Sequence, residues 1–421
     1  MTTTTTSSRA QTDTKKTDGP IVLLADKFEA SGIAALEQHG CTVQSRPELT
    51  ADDLHVAVGE VDPDVLVVRS TKVNAAALDA GSRLSLIIRA GAGYDTIDVA
   101  GASDRAIFVA NCPGKNALAV AELAWALILA CDRRIPDQTA ALRRGEWDKK
   151  GFAKARGLHG RTLGIVGLGR IGHAVADRGK AFGMNVVAWS RSLTPEEADE
   201  QGYGYCATPL DVAKQADVVS VHVASKPETE HLIDAAFCGA LAPDSILINT
   251  TRGAVVDEAA VLAAVKEKGL RVGLDVYETE PAADDKTFTN ALLDEPMVVG
   301  THHVGASTDQ AQQAIATETV RILTTYAATG EVPNCVNRAA QSPATYLLTV
   351  RHLNKAGVLA HVLDVLSTTS INVEEMENII FAGSKAACAR IQLDAAPNAS
   401  QLAQIRSHES VLSSNLAHVT S

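Results

Sequence analysis

Short apolar runs recur along the first three quarters of the chain. Each is followed by a polar or glycine-rich turn and then by a stretch with helical spacing. "IVLLAD" (Ile21 to Asp26), "DVLVVRS" (Asp64 to Ser70), "LSLIIRAG" (Leu84 to Gly91) and "AIFVANCPG" (Ala106 to Gly114) form a first series. They lack the apolar–polar alternation of half-exposed strands and therefore predict parallel strands covered on both faces. A helix is predicted from about Ser31 to Gly40. A second series opens at "RTLGIVGLGRIG" and runs through "NVVAWS", "DVVSVHV", "SILINTT", "RVGLDVY" and "MVVGTHHV". Strands alternating with helices in this way predict two α/β units with doubly wound parallel sheets. Between the two series, Asn116 to Ile135 is one long apolar helical stretch, expected to be buried between two bodies or two subunits. A further helix, about Thr308 to Gly330, closes the second series. "EVPNCVNRAAQSPA" has the composition of a linker. The tail beyond it predicts strand, helix, strand, strand, helix, strand.

Composition narrows the class. The chain has 421 residues, 46% hydrophobic and 21% charged, as expected of a globular protein with two or three domains. A net charge of −12 speaks against a nucleic-acid partner but leaves room for a local basic pocket. The seven cysteines are scattered, with no Cys-x-x-Cys spacing, which fits a reducing compartment without structural zinc. "MTTTTTSSRAQTDTKKTDG" has no apolar run and carries Asp13 and Asp18, so residues 1–19 read as a disordered tail rather than a secretory or organelle leader. No stretch approaches the roughly 18 apolar residues of a membrane span, and the cytoplasm is the expected location.

The candidate chemistry begins at Gly167-x-Gly169-x-x-Gly172, which lies between a predicted strand and a predicted helix. The first glycine permits a tight turn, the second lets backbone approach a pyrophosphate, and the third lets helix and strand pack closely. The helix N-terminus adds free N–H groups for phosphate. An acid that would bind both ribose hydroxyls of NAD is missing from the next strand end, where Ser190 and Arg191 stand. These two could cradle the 2′-phosphate of NADP; alternatively Arg191 stacks on adenine or faces solvent and NAD binds. Three later strand ends carry Arg252, then Asp275 and Glu280, then His302 and His303. A guanidinium suits a substrate carboxylate, although an arginine here could equally pair within the fold. A carboxylate beside an imidazole favours the protonated ring, so the pair could exchange a proton with a carbonyl or hydroxyl. Adjacent histidines are poorly spaced for one zinc ion, and no metal is expected.

The ordered set "VVRSTKVN", "RAGAGYDTID", "GIVGLGRIG", "NTTRGAVVDE", "GLDVYETEP" and "HHVGASTDQAQ" resembles the D-2-hydroxyacid dehydrogenase family over about Ile21 to Asn337. It is most similar to the members that oxidise 3-phosphoglycerate in the first step of serine biosynthesis. The resemblance implies two Rossmann-like domains. The substrate-binding domain is built from 20–110 and 305–337, and the nucleotide-binding domain from 111–304. It implies NAD as cofactor, with NADP possible in view of Ser190 and Arg191. Arg252 then binds substrate, Glu280 orients the imidazole and His303 exchanges the proton. Gly167, Gly169, Arg170, Ile171, Gly172, Thr250, Thr251, Asp275, Gly305 and Ala306 line the cofactor. Arg69, Ser70 and Lys72, with Arg89, are candidates for a substrate phosphate. Val223 replaces a threonine common in relatives and removes one hydroxyl. Residues 345–421, through "NKAGVL" and "INVEEM", resemble an ACT domain, a βαββαβ (ferredoxin-like) module, with Ala356 in place of the usual proline. That likeness implies an amino-acid effector, L-serine by default, contacting His352, Asn354 and Asn372; a purely oligomerising role is the alternative. A homodimer or homotetramer is expected. Two other readings stay open: an NADP-preferring hydroxypyruvate or glyoxylate reductase, and a cofactor-sensing binding protein of the same fold.

Overall fold

The computed structural model describes residues 19–281, 285 and 287–419. Apart from Gly19, the tail expected to be disordered lies outside the described residues. The chain divides into two compact units, split between Asn337 and Arg338.

The first unit contains two parallel sheets. Strands β1 (Ile21–Leu24), β2 (Thr42–Ser45), β3 (Val65–Val68), β4 (Leu86–Arg89) and β5 (Phe108–Asn111) pair in the order β2-β1-β3-β4-β5. Alternate side chains of these strands enter separate cores. Leu23, Leu66, Val68, Ile87 and Val109 face one side, and Val22, Leu24, Val65, Val67, Leu86 and Ile88 face the other. Burial on both faces is why these runs read as continuously apolar. The second sheet holds β6 (Thr162–Val166), β7 (Asn185–Trp189), β8 (Gly204–Tyr205), β9 (Val218–Val221), β10 (Ile246–Asn249), β11 (Arg271–Leu274) and β12 (Val298–Gly300). Its order is β12-β11-β10-β9-β6-β7-β8. The winding reverses between β6 and β9, so a crevice opens outside the carboxyl ends of those two strands, where ligands of such sheets bind.

Two long helices join the lobes. The apolar stretch forms Ala117–Arg133. It packs on helix Arg170–Ala181 and on β10 and β11 of the same chain, so its burial is largely intramolecular, while Leu118 remains exposed. Trp125 anchors it by donating Nε1–H to the Val175 carbonyl at 3.1 Å and stacking on Phe182. Helix Asp309–Thr329 brings the chain back and sends Ile315, Ile322 and Leu323 into the core of the first sheet. The segment expected to be a linker is only partly one. Cys335 bridges antiparallel to Ala110, and the Asn337 side chain accepts from Val109 N–H at 2.8 Å and donates to the Ile107 carbonyl at 2.9 Å. A pattern of mixed polar residues does not reveal such edge pairing, because the backbone supplies most of the hydrogen bonds.

The second unit follows the predicted order. Strands β13 (Tyr346–Leu353), β14 (Val373–Ile380), β15 (Ala386–Leu393) and β16 (Val411–His418) form an antiparallel sheet ordered β14-β15-β13-β16. Helices Val358–Ser367 and Ala399–Ser407 accompany it, and Leu348, Val350, Val362, Ala389 and Ile391 share its core. Among the described residues no helix is long and apolar enough to cross a membrane.

Glu318, buried on the returning helix, ties the crossover region together. Its carboxylate accepts from Arg321 at 2.6 Å and Asn334 at 2.8 Å and lies 3.2 Å from Lys115. Arg321, against the opposing effect of burial and with help from Asn334 and Lys115, pulls the carboxyl down to about 2. A depressed carboxyl stabilises the fold fully above its unfolded value and loses that contribution as pH falls towards its folded value. Glu318→Gln should therefore lower stability by about 1–3 kcal/mol near neutrality, discounted because Arg321 and Lys115 are partly exposed. In thermal unfolding across pH, the gap to wild type should close between about pH 4.5 and 2.

Candidate active site

The glycine loop joins β6 to helix Arg170–Ala181. Gly167 has φ +100, and a Cβ there would lie 2.7 Å from the His222 carbonyl. A Cβ on Gly172 would lie 2.2 Å from the Gly167 carbonyl oxygen. Neither position accepts a side chain, whereas Gly169 faces open space. The crevice suits a dinucleotide in three respects. No side chain caps the first turn of the helix, which leaves its N–H groups for phosphate. His222, at the end of β9 beside the loop, is buried; burial pushes it down to about 3, its Nε2 pairs with Ser220 Oγ at 2.8 Å, and its Nδ1 has no partner. Thr250 Oγ and Asn116 Oδ1 are likewise buried and unpaired. Sequence reasoning missed His222 and Asn116, since each is a single polar residue at the end of an apolar run.

In this loop the Arg170 side chain donates to the Pro113 carbonyl at 3.0 Å and Ile171 packs against the core, and both residues lie in the first turn of the helix. At the end of β7, Ser190 is half-buried and Arg191 is exposed, with no ion pair among the described residues. The nearest following acid to be engaged, Glu197, closes a capping box with Thr194.

Beyond β10, Asn249 shapes the turn that carries Arg252. Its Oδ1 accepts from Thr251 N–H at 3.0 Å and Thr251 Oγ–H at 2.8 Å, and its Nδ2 donates to the Arg252 carbonyl at 3.0 Å. Beyond β11, Asp275 is 1% exposed. It was expected to lie near the nicotinamide, but its oxygens are already engaged. Thr301 Oγ–H donates at 2.7 Å and Val304 N–H at 2.9 Å to one oxygen, and Gly305 N–H donates at 2.8 Å to the other. These bonds hold His303 at φ +52, a left-handed conformation uncommon for a side-chain-bearing residue. Ala306 is half-buried, and its carbonyl accepts from Gln312.

His303 and Glu280 meet directly. Nδ1 lies 2.8 Å from Glu280 Oε2, while Oε1 accepts from Tyr277 N–H at 3.2 Å. Burial raises the Glu280 carboxyl, but the His303 hydrogen bond and the charges of His303 and Arg252 outweigh it and hold the group below the ordinary glutamate range. An ionised carboxylate only accepts, so Nδ1 carries the hydrogen and Nε2 is left free to exchange a proton. His302 is exposed and forms no hydrogen bond among the described residues.

The first lobe contributes cations. Arg89 has a buried, unpartnered Nε; burial first, then the charge of Arg252, with Arg69 adding and Asp95 opposing, hold its guanidinium below the ordinary value. Arg69 donates Nη2–H to Ser307 Oγ at 3.3 Å, which links it to the loop after His303. Its backbone turn is set by Asp26, whose Oδ2 receives N–H groups from Arg69, Ser70 and Thr71 at 2.6, 3.2 and 3.3 Å. Ser70 and Lys72 are exposed, and neither side chain forms a hydrogen bond or ion pair among the described residues. Arg252 is itself paired: Nε and Nη2 donate to Asp95 at 3.2 and 3.0 Å, and Nη1 to the Thr251 carbonyl at 2.7 Å. Asp26, Asp95 and Asn249 were not anticipated, because their partners lie in distant or backbone groups. Among the described residues no three His, Cys, Asp or Glu side chains gather as a metal site requires.

In the second unit, one copy does not bring the three effector candidates together. His352 is 1% exposed and already paired, with Nδ1 2.8 Å from the Leu353 carbonyl and Nε2 3.1 Å from Asn378 Oδ1. Asn354 follows β13 and donates to the Ser384 carbonyl; Asn372 precedes β14 and donates to Glu374. Both strands run antiparallel to β15 between them, so these asparagines sit at opposite ends of the sheet.

Comparison with known proteins accords with this geometry. Residues 125–305 match the family described as D-isomer specific 2-hydroxyacid dehydrogenase, NAD binding domain. The chain is similar to a D-3-phosphoglycerate dehydrogenase of Methanocaldococcus jannaschii, 41% identical over 298 residues, 70% of this chain and 55% of that protein. It thus spans little more than half of that relative's length. A hydroxypyruvate reductase of Thermotoga maritima is 42% identical over 275 residues, 65% of this chain and 87% of the relative. Among solved structures, an NADPH-dependent glyoxylate/hydroxypyruvate reductase of Sinorhizobium meliloti, in complex with NADP and malonate, superposes with a TM-score of 0.66. It is 30% identical and covers 76% of this chain and 99% of its own. With its glycine loop, its Glu280–His303 pair and this similarity along nearly whole relatives, the chain belongs to the D-isomer specific 2-hydroxyacid dehydrogenase family.

Proposed function

We propose that the chain oxidises 3-phospho-D-glycerate to 3-phosphooxypyruvate with NAD or NADP. The observation that carries this reading is electrostatic. Arg252 and Arg69 both act on the buried Arg89, Arg252 also acts on Glu280 of the Glu280–His303 pair, and among the described residues the ion pair of Asp95 is with Arg252. Such an excess of cations suits a substrate bearing both a carboxylate and a phosphate.

Gly167, Gly169, Gly172 and the N–H groups of Arg170 and Ile171 would hold the pyrophosphate. Ser190 and Arg191 would face the adenosine ribose or its 2′-phosphate. Thr250, Thr251, His222, Gly305 and Ala306 would line the rest. When bound, the dinucleotide supplies the acceptor for the hydride that leaves C2. Arg252 holds the substrate carboxylate and the C2 oxygen, while Arg69 and Arg89 take the phosphate. His303 removes the C2 hydroxyl proton at Nε2 as the C–O bond becomes a carbonyl, and Glu280 stabilises the imidazolium that results. Asp275 acts at one remove, by fixing the loop that presents the imidazole.

Reduction of hydroxypyruvate or glyoxylate is the second reading. It is supported by the 87% coverage of the hydroxypyruvate reductase and by the absence of an acid where Ser190 and Arg191 stand. For the second unit we propose an ACT-type regulatory role, with serine held between paired copies. A two-fold pair would bring the Asn354 end of one sheet against the Asn372 end of another.

Purified protein should reduce NAD or NADP with 3-phosphoglycerate, followed by nicotinamide absorbance, at a kcat/KM at least about tenfold above that for unphosphorylated D-glycerate. Faster reduction of glyoxylate or hydroxypyruvate than of phosphooxypyruvate would favour the second reading, and no turnover with any 2-hydroxy acid would favour cofactor sensing.

His303→Ala should lower kcat by about 10²–10⁴-fold, and Glu280→Gln should also lower it. Because Glu280 lies below the ordinary 4.5, the rate loss that follows its protonation should fall at more acid pH than that value, and the kcat/KM profile of Glu280→Gln should lack this limb.

Arg191→Ala should weaken NADP binding far more than NAD binding. Equal effects on the two cofactors would exclude the phosphate cradle.

A further inference from the structure

We propose that Asp95 is a stand-in for the substrate's carboxylate: it occupies the fork of Arg252 in the free protein and is exchanged for the substrate on binding. This rests on the proposed role of Arg252 as the carboxylate-binding group.

The guanidinium presents two edges that could grip a carboxylate through parallel hydrogen bonds. Asp95 holds the edge formed by Nε and Nη2, at 3.2 and 3.0 Å, and the Thr251 carbonyl takes Nη1 at 2.7 Å. A carboxylate arriving from solution therefore finds the Nε–Nη2 fork taken. The contact spans the two lobes: Asp95 lies in the loop after β4, and Arg252 in the turn after β10. The loop approaches closely because Gly93 lacks a side chain; a Cβ there would lie 2.2 Å from Arg252 Nη2. The two partners differ in how firmly they are held. The Arg252 side chain is 30% exposed and is fixed from behind by the Thr251 carbonyl, whereas the Asp95 side chain is 58% exposed. A rotation about its own side-chain bonds can return the Asp95 carboxylate to water without moving the backbone.

Charge explains why such a place-holder is useful. Arg252 and the buried Arg89 repel each other, and Asp95 partly offsets that repulsion. Asp95 thus keeps the fork correctly aimed while the site is empty. Exchange of one carboxylate for another conserves the ion pair, so a bound acid meets only a modest opposing term. The same exchange in reverse helps to expel the product acid.

The test uses oxalate as a carboxylate probe, with the full-length protein and NAD present. Binding is measured by calorimetry for wild type, Asp95→Asn, Asp95→Ala and Asp95→Glu. Removing the competing charge should tighten oxalate binding about tenfold in Asp95→Asn and in Asp95→Ala, while Asp95→Glu should stay near wild type. KM for 3-phosphoglycerate should fall in parallel in the two neutral variants, with kcat no higher than wild type. A pair that only braces the lobes predicts the opposite: oxalate binding unchanged or weaker, and KM unchanged or raised. That result in either neutral variant that folds, as judged by its unfolding transition, overturns the proposal. The calorimetric arm does not depend on turnover. Tighter oxalate binding without any dehydrogenase activity would uphold the exchange and overturn the proposed reaction. Activity without tighter binding would do the reverse.

Discussion

Asp275 ends β11 inside the protein and gathers three hydrogen bonds from the segment that follows β12. A buried carboxylate is tolerated only when donors surround it, so its satisfaction and the shape of the His303 loop are one requirement. The loop must place two consecutive N–H groups on Asp275, and His303 takes up a left-handed backbone as a result. From there the imidazole reaches Glu280, which is carried by the loop that leaves Asp275 itself. The Glu280–His303 pair is thus built from two adjacent strand ends stitched together by one side chain.

The same rule of satisfied polar groups organises the opposite wall. Asp26 collects the backbone of residues 69–71, Asn249 collects that of residues 251 and 252, and Asp95 meets Arg252. What these groups leave unsatisfied is equally informative. Arg89 Nε, Thr250 Oγ, His222 Nδ1 and Asn116 Oδ1 are buried without partners. Thr96 Oγ and Arg161 Nε lack a hydrogen-bond partner as well, but His222 adjoins the glycine loop and Thr250 the turn that carries Arg252, where a polar ligand would complete them.

Much of this was legible in the sequence. Runs such as "VLVV" and "ILIN" are wholly buried, and that is the condition under which apolar continuity predicts a parallel strand. The glycine spacing was readable because Gly167 and Gly172 face backbone at distances no side chain allows. Arg252, the acids Asp275 and Glu280 and the pair His302 and His303 could be named because their residue types carry chemistry at strand ends, while the choice of Glu280 and His303 among them came from the family resemblance. Asp95 could not, because its partner is 157 residues away and local pattern does not encode a contact across lobes. At Arg170 the motif specifies the backbone, and its side chain donates to the Pro113 carbonyl, a partner the local pattern does not encode. Strand direction separates the effector candidates Asn354 and Asn372 within one copy, as expected of a site formed between two paired copies.

The antiparallel bridge of Cys335 to Ala110, with Asn337 on the backbone of residues 107 and 109, covers the outer border of the first sheet before the chain departs. An uncovered border strand would invite aggregation whenever the downstream sequence changed. With that border covered by residues just before Asn337, the sequence beyond is not needed to shield β5, and the junction between the two units falls where the first sheet is already closed on that side.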